Sequence, residues 1–405
     1  MSKSGTLVSQ CEQRENARQK ILEVIRATEH IARIDIAKAT GVSPATVTAL
    51  TSELINAGLI CEVAPQSHTG GRRGRPRVGL AIRGHAHRIA GIKVARHQIS
   101  VVVTDFAGHE LIHHVSPLDT GRMPGQMLAQ EIQRTLEETC KRGDFSLTEL
   151  SGVGLGLAGM IDAPRNFVYW SSSLEERNTH FADTVETLLQ CPVFIDNDAN
   201  LVAKAEHLFG AGRNCSNFIV ITIEHGVGMG VVIDGQIYRG SRGCGAEFGH
   251  TKVQLEGALC QCGQRGCLEA YVGDYALLRE ANTSSGGERY YPTLASLFSA
   301  AQKGDAIAQS VLDRARRMFA LGLANIVNIF DPGKIILAGA RLSFDHLYSE
   351  RVIDEMQQWV VDIGAPMPEI LVHDWGDLMW AKGAAAYAIQ EVSALAVKRL
   401  TWAAT

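Results

Sequence analysis

The sequence predicts an α/β protein in two parts, a small helical head that ends in a β-hairpin and a larger body built from a duplicated unit. Its length of 405 residues exceeds what one compact core usually supports. Residues 1–88 hold 13 Lys and Arg against 7 Asp and Glu, whereas the remainder is acidic. Short β-rich runs and helices recur in the same order in the body. A basic head on an acidic body is typical of a nucleic-acid-binding module joined to a second function.

The composition excludes several protein classes. Hydrophobic residues make up 46% of the chain and charged residues 20%, which is ordinary for a globular protein and unlike a disordered one. No apolar run reaches the length of about 18 residues that a membrane-spanning helix needs. The first residues become polar too early for a secretion signal. We therefore expect a cytoplasmic protein without membrane insertion. Three of its nine cysteines crowd into residues 260–267, which indicates a metal site more than disulfides.

The head has the spacing of a helix-turn-helix. Residues 15–28 and Arg33–Thr40 have helical spacing, and Gly41 suits a tight turn. Ser43-Pro44, a favourable N-cap and first helical residue, then opens a third helix that Gly58 ends. The apolar residues predicted to pack between these helices are Ala17, Ile21, Val24, Ile25, Ile34, Ile36, Ala37, Val47, Leu50 and Leu54.

The third helix is the predicted recognition helix. Its outer face carries small or short polar side chains, which allow a helix to approach base edges and phosphates in a major groove. The predicted DNA contacts here are Ser43, Pro44, Ala45, Thr46, Thr48 and Ala49, and Ser52 shares the face. A plain interaction domain is the alternative, because many small helical bundles share this spacing.

An arginine-rich segment follows, between two predicted strands. Leu59–Val63 and Val78–Ile82 have strand character, and Gly70–Arg77 between them reads Gly-Gly-Arg-Arg-Gly-Arg-Pro-Arg. Neighbouring arginines repel one another, but they can enter a narrow A·T minor groove or hold phosphates. We predict a wing in which Arg72, Arg73, Gly74 and Arg75 contact DNA. A solvated flexible linker is the alternative.

The body repeats a unit of three antiparallel strands followed by a helix and a further strand. The first copy has strands at Ile89–Ala95, Ile99–Phe106, Glu110–Ser116 and Gly152–Leu157, with a helix at about 124–141. The second has strands at Phe218–Ile223, Gly228–Ile233, Gln236–Tyr238 and Lys334–Leu337, with a helix at about 308–329. Two such lobes facing a cleft are typical of the sugar kinase/actin-like architecture, whose ligands lie at strand ends.

These patterns predict three domains. Residues 1–82 form a winged helix-turn-helix, and residues 83–198 form the first lobe, which a C-terminal helix at about 377–397 completes. Residues 199–376 form the second lobe, which carries the metal site.

A run of three cysteines is the sharpest local signal. Cys260, Cys262 and Cys267 are separated by short spacers with turn-forming glycines, so that three thiolates can surround one tetrahedral ion. His250, ten residues before Cys260, supplies a fourth ligand. Three Cys and one His leave no open coordination position, which indicates a structural zinc ion. Unligated thiols are the alternative, but exposed clustered thiols oxidise.

The chain resembles the ROK family of repressors, uncharacterised open reading frames and sugar kinases. The resemblance rests on Glu247–His250 followed by Cys-x-Cys-Gly-x-x-Gly-Cys-x-Glu, on Asn197–Asn200, on Glu224–Gly230 and on Ile326–Gly339. It covers nearly all of residues 85–395. The helix-turn-helix and the Gly-Arg-rich segment resemble those of the family's repressor branch, the Mlc and NagC type.

The resemblance implies roles for particular residues. The positions that match the family's sugar contacts are Asn197, Asp198, Glu247, His250 and Glu269. Carboxylates accept hydroxyl hydrogen bonds strongly, and a histidine that binds zinc through one ring nitrogen keeps the other for a sugar hydroxyl. In the kinases the aspartate matching Asp198 is the general base for the 6-hydroxyl. Without the motif, capping or turn roles would explain Asp198 and Glu247.

The departures from the family pattern separate a sensor from a kinase. The kinases' Asp-x-Gly-Gly-Thr phosphate loop is Lys93–His97 here, which lacks both glycines. In the second phosphate loop Gly226, Gly228 and Gly230 remain, but Glu224-His225 replaces Gly-Thr, and a carboxylate repels a triphosphate. Near the sugar, Ala158-Gly159 replaces Pro-Gly, and Ser173–Arg177 replaces an Asn-Leu-x-Trp region. No catalytic residue is therefore expected, and Asp198 is a vestigial base.

Three functions are compatible with these features. The first is a non-enzymatic repressor of sugar uptake or metabolism genes, which binds a double-stranded palindromic operator as a homodimer or homotetramer and responds to a sugar or sugar phosphate. The second is an ATP-dependent hexose kinase or a bifunctional protein. The third is a scaffold regulated by a sugar-transport-system protein.

Overall fold

The computed structural model describes residues 3–63, 78–119, 121–213, 215–339, 347, 350–373, 376 and 378–402. The chain divides into two compact units. Unit 1 comprises Met1–Asn197 and Trp380–Thr405, and unit 2 comprises Asp198–Met379. Within the described ranges, no helix has both the length and the apolar character needed to cross a membrane.

The head is a winged helix-turn-helix within unit 1. Its elements are α1 (Lys3–Thr28), β1 (Ile31–Ala32), α2 (Arg33–Thr40), α3 (Pro44–Asn56), β2 (Ile60–Val63) and β3 (Gly79–Ile82). The strands form an antiparallel sheet in the order β1-β3-β2. The three predicted helices and the predicted hairpin strands are confirmed. Helix α1 begins at Lys3, twelve residues before the predicted start, and the two-residue β1 was not predicted. Arg72, Arg73, Gly74 and Arg75 lie outside the described residues.

One packing prediction in the head is wrong. Ile36 and Ala37 of α2 are buried, but Ile34 keeps 42% of its surface exposed. Ile34 is the second residue of α2, where the chain has just left β1. The three-residue period predicts the same face for Ile34 and Ala37, but at the first turn of this short helix Ile34 does not reach the core.

The first lobe contains a five-stranded mixed sheet. Its elements are β4 (Arg88–Val94), β5 (Gln98–Asp105), β6 (Glu110–Pro117), α4 (Gly125–Arg142), β7 (Leu150–Leu157), β8 (Gly159–Asp162), β9 (Phe167–Ser171), α5 (Phe181–Leu189) and β10 (Val193–Asn197). The sheet order is β10-β7-β4-β5-β6. Strands β10, β7 and β4 are parallel, and β4, β5 and β6 are antiparallel.

The second lobe, unit 2, repeats this arrangement. Its elements are α6 (Asp198–Leu208), β11 (Phe218–Ile223), β12 (Val227–Ile233), β13 (Gln236–Ile237), α7 (Glu269–Val272), α8 (Asp274–Ser284), α9 (Leu294–Gln302), α10 (Ala306–Phe330), β14 (Lys334–Ala338), α11 (Glu350–Gln357) and β15 (Glu369–Val372). The sheet order is β13-β12-β11-β14-β15, with β11, β14 and β15 parallel. Read from the opposite edge it matches the first sheet strand for strand, which confirms the predicted duplication.

The last helix, α12 (Met379–Trp402), belongs to unit 1 almost entirely. Gly91 of β4 and Gly154 of β7 are register partners. A Cβ on Gly91 would lie 2.0 Å from the Ala381 carbonyl oxygen, and one on Gly154 would lie 1.9 Å from the Ala384 carbonyl oxygen. The two glycines therefore allow the small-residue face of α12 to lie directly on the centre of the sheet.

Candidate functional site

Helix α3 presents the outer face that the sequence predicts. The Ser43 side chain accepts a hydrogen bond from the Thr46 amide at 3.2 Å, and Pro44 is the first helical residue. Val47, Leu50 and Leu54 are buried. All the predicted contact residues of this helix are exposed, namely Ser43, Pro44, Ala45, Thr46, Thr48 and Ala49, and so is Ser52. The capped N-terminus and short side chains suit close approach to a phosphate or a base edge.

Two arginines form side-chain hydrogen bonds with the inner face of α3. Arg33 Nε donates to Thr51 Oγ1 at 3.1 Å. Arg18 Nη2 donates to Glu53 Oε2 at 2.6 Å. The inner face of α3 is thus fixed by apolar packing and by polar contacts, which leaves only its outer face for a ligand.

The predicted metal ligands come together in unit 2. The ligand atoms of His250, Cys260, Cys262 and Cys267, here called the metal cluster, all lie within 4.8 Å of one another. Cys262 Sγ lies 3.7 Å from Cys267 Sγ, and Cys260 Sγ lies 3.7 Å from His250 Nδ1. Zn–S bonds of about 2.3 Å at tetrahedral angles separate two sulfurs by about 3.8 Å. The donor set and its spacing therefore fit a four-coordinate zinc ion.

Positive-φ glycines and a lysine shape the metal cluster. Gly263 has φ +86° and Gly266 has φ +76°, and a Cβ on Gly266 would lie 1.8 Å from the Gln254 carbonyl oxygen. Lys252 Nζ donates to Cys267 Sγ at 2.9 Å. Three thiolates and one divalent cation carry a net negative charge, and the Lys252 ammonium offsets it. Lys252 was not predicted, because no motif in the sequence marks its contact with Cys267.

Three carboxylates adjoin the metal cluster. Asp198, Glu247 and Glu269, here called the carboxylate cluster, interact electrostatically. Partial burial removes water from the Glu247 carboxylate and, together with the negative charges of Asp198 and Glu269, raises its pKa to about 7. The side chain remains 40% exposed to solvent. Its Oε2 lies 4.0 Å from His250 Nε2. His250 thus turns Nδ1 towards Cys260 and Nε2 towards Glu247.

Tyr275 joins the two clusters and was not predicted. Its hydroxyl donates to Glu269 Oε1 at 3.2 Å and accepts from the Gln261 amide at 3.4 Å. Cys260 Sγ lies 3.7 Å from the same hydroxyl. No motif within the cysteine run marks this tyrosine, because it lies eight residues beyond Cys267, on α8.

Asn197 belongs to a different unit from the other four predicted ligand contacts. It is the last residue of unit 1, whereas Asp198, Glu247, His250 and Glu269 belong to unit 2. Asn197 Nδ2 donates to the Gly159 carbonyl oxygen at 2.8 Å. Gly159 has φ +146°, and a Cβ there would lie 2.2 Å from the Trp170 carbonyl oxygen. The glycine of the altered Ala158-Gly159 pair is therefore required by the backbone.

The first phosphate-loop position is occupied by a buried cation. Lys93 on β4 is 6% exposed, and its Nζ lies 5.7 Å from the centroid of the Trp380 ring. Arg96 and His97 are exposed. None of the residues Lys93–His97 is a glycine, so every residue here carries a side chain where a phosphate loop exposes its backbone amides.

The second phosphate-loop position is also filled. The His225 ring lies 5.3 Å from the Tyr275 ring, and the Glu224 carbonyl accepts from the Asp274 amide at 3.2 Å. A Cβ on Gly230 would lie 2.6 Å from Ala203 Cβ on α6. The retained glycine therefore serves strand–helix packing, and it needs no phosphate to explain it.

Comparisons with known protein families assign both parts of the chain. A model of the ROK family matches residues 89–391. A model of winged helix-turn-helix DNA-binding domains matches residues 14–60.

Two characterised relatives carry regulatory names. The DNA-binding transcriptional dual regulator NagC of Escherichia coli K12 is 30% identical over 315 residues, which cover 76% of each chain. The xylose repressor of Caldicellulosiruptor bescii is 27% identical over 348 residues, which cover 84% of this chain and 86% of the relative.

Two solved structures show the same fold. A ROK family transcriptional regulator described as a homologue of the Escherichia coli MLC protein has a TM-score of 0.79 at 23% identity and covers 97% of this chain and 100% of its own. The ROK hexokinase of Thermus thermophilus has a TM-score of 0.65 at 29% identity and covers 75% of this chain and 99% of its own. The protein is therefore a member of the ROK family that carries a winged helix-turn-helix DNA-binding head.

Proposed function

We propose that the protein is a sequence-specific DNA-binding transcriptional regulator whose kinase-like body senses a sugar or sugar phosphate without phosphorylating it. The observation that carries this is α3, a capped helix in a winged helix-turn-helix with an outer face of exposed short side chains. Phosphoryl transfer to a sugar does not require a DNA-binding domain. The names of the relatives support the same function.

The proposed DNA contacts follow from the exposure of α3 and from the arginine run. Ser43, Pro44, Ala45, Thr46, Thr48 and Ala49 would reach the major groove, and Arg72, Arg73, Gly74 and Arg75 would form the wing contacts. Replacing one of these arginines by Ala is expected to weaken binding on all sequences and to reduce the salt slope by about one. The slope of log Kd against log salt concentration checks it, and an unchanged slope contradicts the wing.

The proposed sensor site combines the carboxylate cluster with the metal cluster. Asp198, Glu247 and Glu269 offer acceptors for sugar hydroxyls, and His250 Nε2 offers a further polar atom. A structural zinc ion on His250, Cys260, Cys262 and Cys267 would fix the histidine ring and the adjoining loop. Asn197 remains a ligand contact predicted from the sequence. We also propose the domain limits that the sequence patterns predict, namely 1–82, 83–198 with about 377–397, and 199–376.

The proposed partners are a double-stranded operator, a sugar effector and a second copy of the chain. A homodimer or homotetramer would match a palindromic operator. A sugar-transport-system protein is a further proposed partner, on the family resemblance alone. A regulator of this kind would act in the cytoplasm, where the operator is accessible, and would repress genes of sugar uptake or metabolism.

One experiment tests DNA recognition and sensing together. Purified full-length protein is incubated with fragmented genomic DNA at physiological salt, with and without a panel of sugars and sugar phosphates, and the retained fragments are sequenced. We expect a recurring palindrome that one sugar releases. Retention of no specific sequence under any condition contradicts the proposed function.

A sugar kinase is the second candidate, because the body shares its fold with the ROK hexokinase and keeps Asp198. It requires that the altered loops bind MgATP. ATP-dependent phosphorylation of a hexose that Asp198→Asn abolishes would establish it. The filled loop positions favour the sensor.

A further inference from the structure

Helix α1 buries two arginines on one face. Arg18 is 3% exposed and Arg26 is 5% exposed, and they are eight residues apart, which is about 12 Å along a helix. Ile21, Leu22 and Ile25 are buried between them. Arginine is rarely buried without a partner, so the contacts of these two side chains define what the face is built to bind.

Both arginines bind hydroxyl groups on α12, the helix that covers the body sheet. Arg18 Nη1 donates to Thr401 Oγ1 at 2.9 Å, and Arg26 Nη2 donates to Ser393 Oγ at 3.3 Å. Ser393 and Thr401 are also eight residues apart, in the reverse order, so the two helices run antiparallel. Each hydroxyl donates its own proton to the carbonyl four residues earlier in α12. Its oxygen is therefore left to accept from the arginine.

Among the described residues, the side-chain hydrogen bonds of Arg26 go to the body. Besides Ser393, its Nη2 reaches the Phe106 carbonyl oxygen at 3.4 Å, and its guanidinium carbon lies 5.0 Å from the centroid of the Phe106 ring. Burial lowers the pKa of Arg26 to about 10, so the group stays charged at neutral pH. Arg26 thus fixes the C-terminal half of α1 to the first lobe.

Arg18 binds the body and the recognition helix at once. Its Nε and Nη2 donate to Glu53 Oε2 at 3.0 and 2.6 Å, while Nη1 holds Thr401. Glu53 follows Ser52 on α3, and Arg14 Nη2 holds its other oxygen at 2.5 Å. One planar guanidinium therefore fixes the distance between a residue of α12 and a residue of the helix that faces DNA.

We propose that Arg18 is a positioning residue for the recognition helix, through which α12 sets the placement of α3. Helix α12 begins at Met379, where the chain leaves unit 2, and it ends beside Arg18. A turn or shift of α12 moves the Thr401 hydroxyl, and the rigid fork of Arg18 transmits that displacement to Glu53. The inference rests on DNA binding by the head and adds to it the residue that connects head and body.

A merely structural arginine would behave differently. Loss of the Thr401 hydroxyl would then lower the stability of unit 1 but would leave the contribution of Glu53 to DNA binding unchanged. Thr401 and Glu53 share no contact with each other among the hydrogen bonds and ion pairs of the described residues, and each binds Arg18. A coupling between them therefore reports transmission through Arg18.

A double-mutant cycle on the full-length protein tests the proposal. The probe is a duplex that the wild type recovers from genomic DNA, and its Kd is measured by fluorescence anisotropy at one salt concentration. We expect Thr401→Val and Glu53→Gln each to weaken binding about fivefold or more. The double variant is expected to deviate from the product of the two effects by about threefold or more. Thr401→Ser, which keeps the hydroxyl, should bind as the wild type does.

The control cycle pairs Glu53→Gln with Ser393→Ala. Ser393 lies on the same helix but binds Arg26, so the two effects should multiply within about twofold. A multiplicative Thr401–Glu53 cycle, or wild-type affinity in Thr401→Val, overturns the proposal.

Hydrogen exchange tests the same link without DNA. In Glu53→Gln the amides of residues 397–401 should exchange faster than in the wild type, because Arg18 loses the charge that holds it in place. Unchanged exchange at these amides overturns the proposal even if Thr401→Val does not fold or if the wild type retains no duplex. Failure to retain any duplex alone would contradict the proposed function instead.

Discussion

The metal and carboxylate clusters of unit 2 contrast with the two positions where kinases of this family bind phosphate. In the clusters, the ligand atoms of four residues lie within 4.8 Å and the polar groups face one another. At the phosphate positions, Lys93 is buried beside Trp380 and His225 lies against Tyr275. One region brings polar side-chain atoms together, whereas at the two other positions side chains pack against aromatic rings.

This contrast separates recognition from catalysis within one fold. Phosphoryl transfer depends on positioning and on stabilising the charge of the transferred group, and both require the phosphate loops. Binding a sugar requires only acceptors and donors around its hydroxyls. A body that keeps the second set of groups and fills the first can bind without reacting, which suits a sensor attached to a DNA-binding head.

The largest effect is expected from breaking the metal cluster. Cys262→Ser should lower zinc affinity by at least about 100-fold and should abolish sugar binding, because His250 loses the ion that fixes its ring. Zinc content by mass spectrometry and sugar titration by calorimetry check both effects. Cys215→Ser, in the same unit but outside the cluster, is the matched control. A zinc-free protein with full sugar affinity would contradict this role of the metal.

The carboxylate cluster should show the next largest effect. Glu269→Gln is expected to weaken binding of the sugar that releases DNA about 10- to 100-fold, since a charge-assisted hydrogen bond contributes about 1.5–3 kcal/mol. Calorimetric titration measures it. Glu288→Gln, an exposed residue of the same unit, should bind normally. Equal affinity in both variants would remove Glu269 from the site.

Gly230 tests whether the second phosphate-loop position serves packing. Gly230→Ala places a Cβ 2.6 Å from Ala203 Cβ and 2.7 Å from the Ala199 carbonyl oxygen, and it should reduce the free energy of unfolding by about 1–3 kcal/mol. Urea denaturation measures this. Gly333→Ala, whose Cβ would meet its nearest atom at 3.9 Å, is the control. Wild-type stability in Gly230→Ala would show that the glycine has another purpose.

The smallest effect is expected when MgATP is added and the melting temperature is measured. A ligand present at 100 times its Kd stabilises a protein by about 2.7 kcal/mol, whereas millimolar MgATP should leave the melting temperature of this protein unchanged. Thermal scans with MgATP and with MgCl2 alone measure the difference. A dose-dependent shift with MgATP would restore the kinase as a candidate.

Local spacing predicted much of this molecule. The cysteine run, the Ser43-Pro44 helix start and the strand runs are short-range signals, because turn chemistry and side-chain period act over a few residues. The repeated order of strands and helices then predicted the two sheets. Each of these features depends on neighbours in the sequence.

Contacts between distant residues were harder to foresee. Tyr275 and Lys252 support the clusters through side-chain hydrogen bonds that no spacing rule marks. The two-residue β1 exists because β3 pairs with it, and β8–β9 is a separate two-stranded sheet with no regular alternation. The sequence around Arg18 does not distinguish it from an exposed cation on a helix, because its partners are 35 and 383 residues away.

The packing of α12 on Gly91 and Gly154 delays completion of the first lobe during protein synthesis. Strands β4 and β7 leave the ribosome long before α12, because all of unit 2 is translated between them. Until then the glycine-lined centre of the first sheet lacks its cover, and the hydroxyl partner of Arg18, Thr401, has not been synthesised. The first lobe is therefore complete only after unit 2 has been translated, and a nascent chain that stalls within unit 2 offers chaperones and proteases an uncovered sheet.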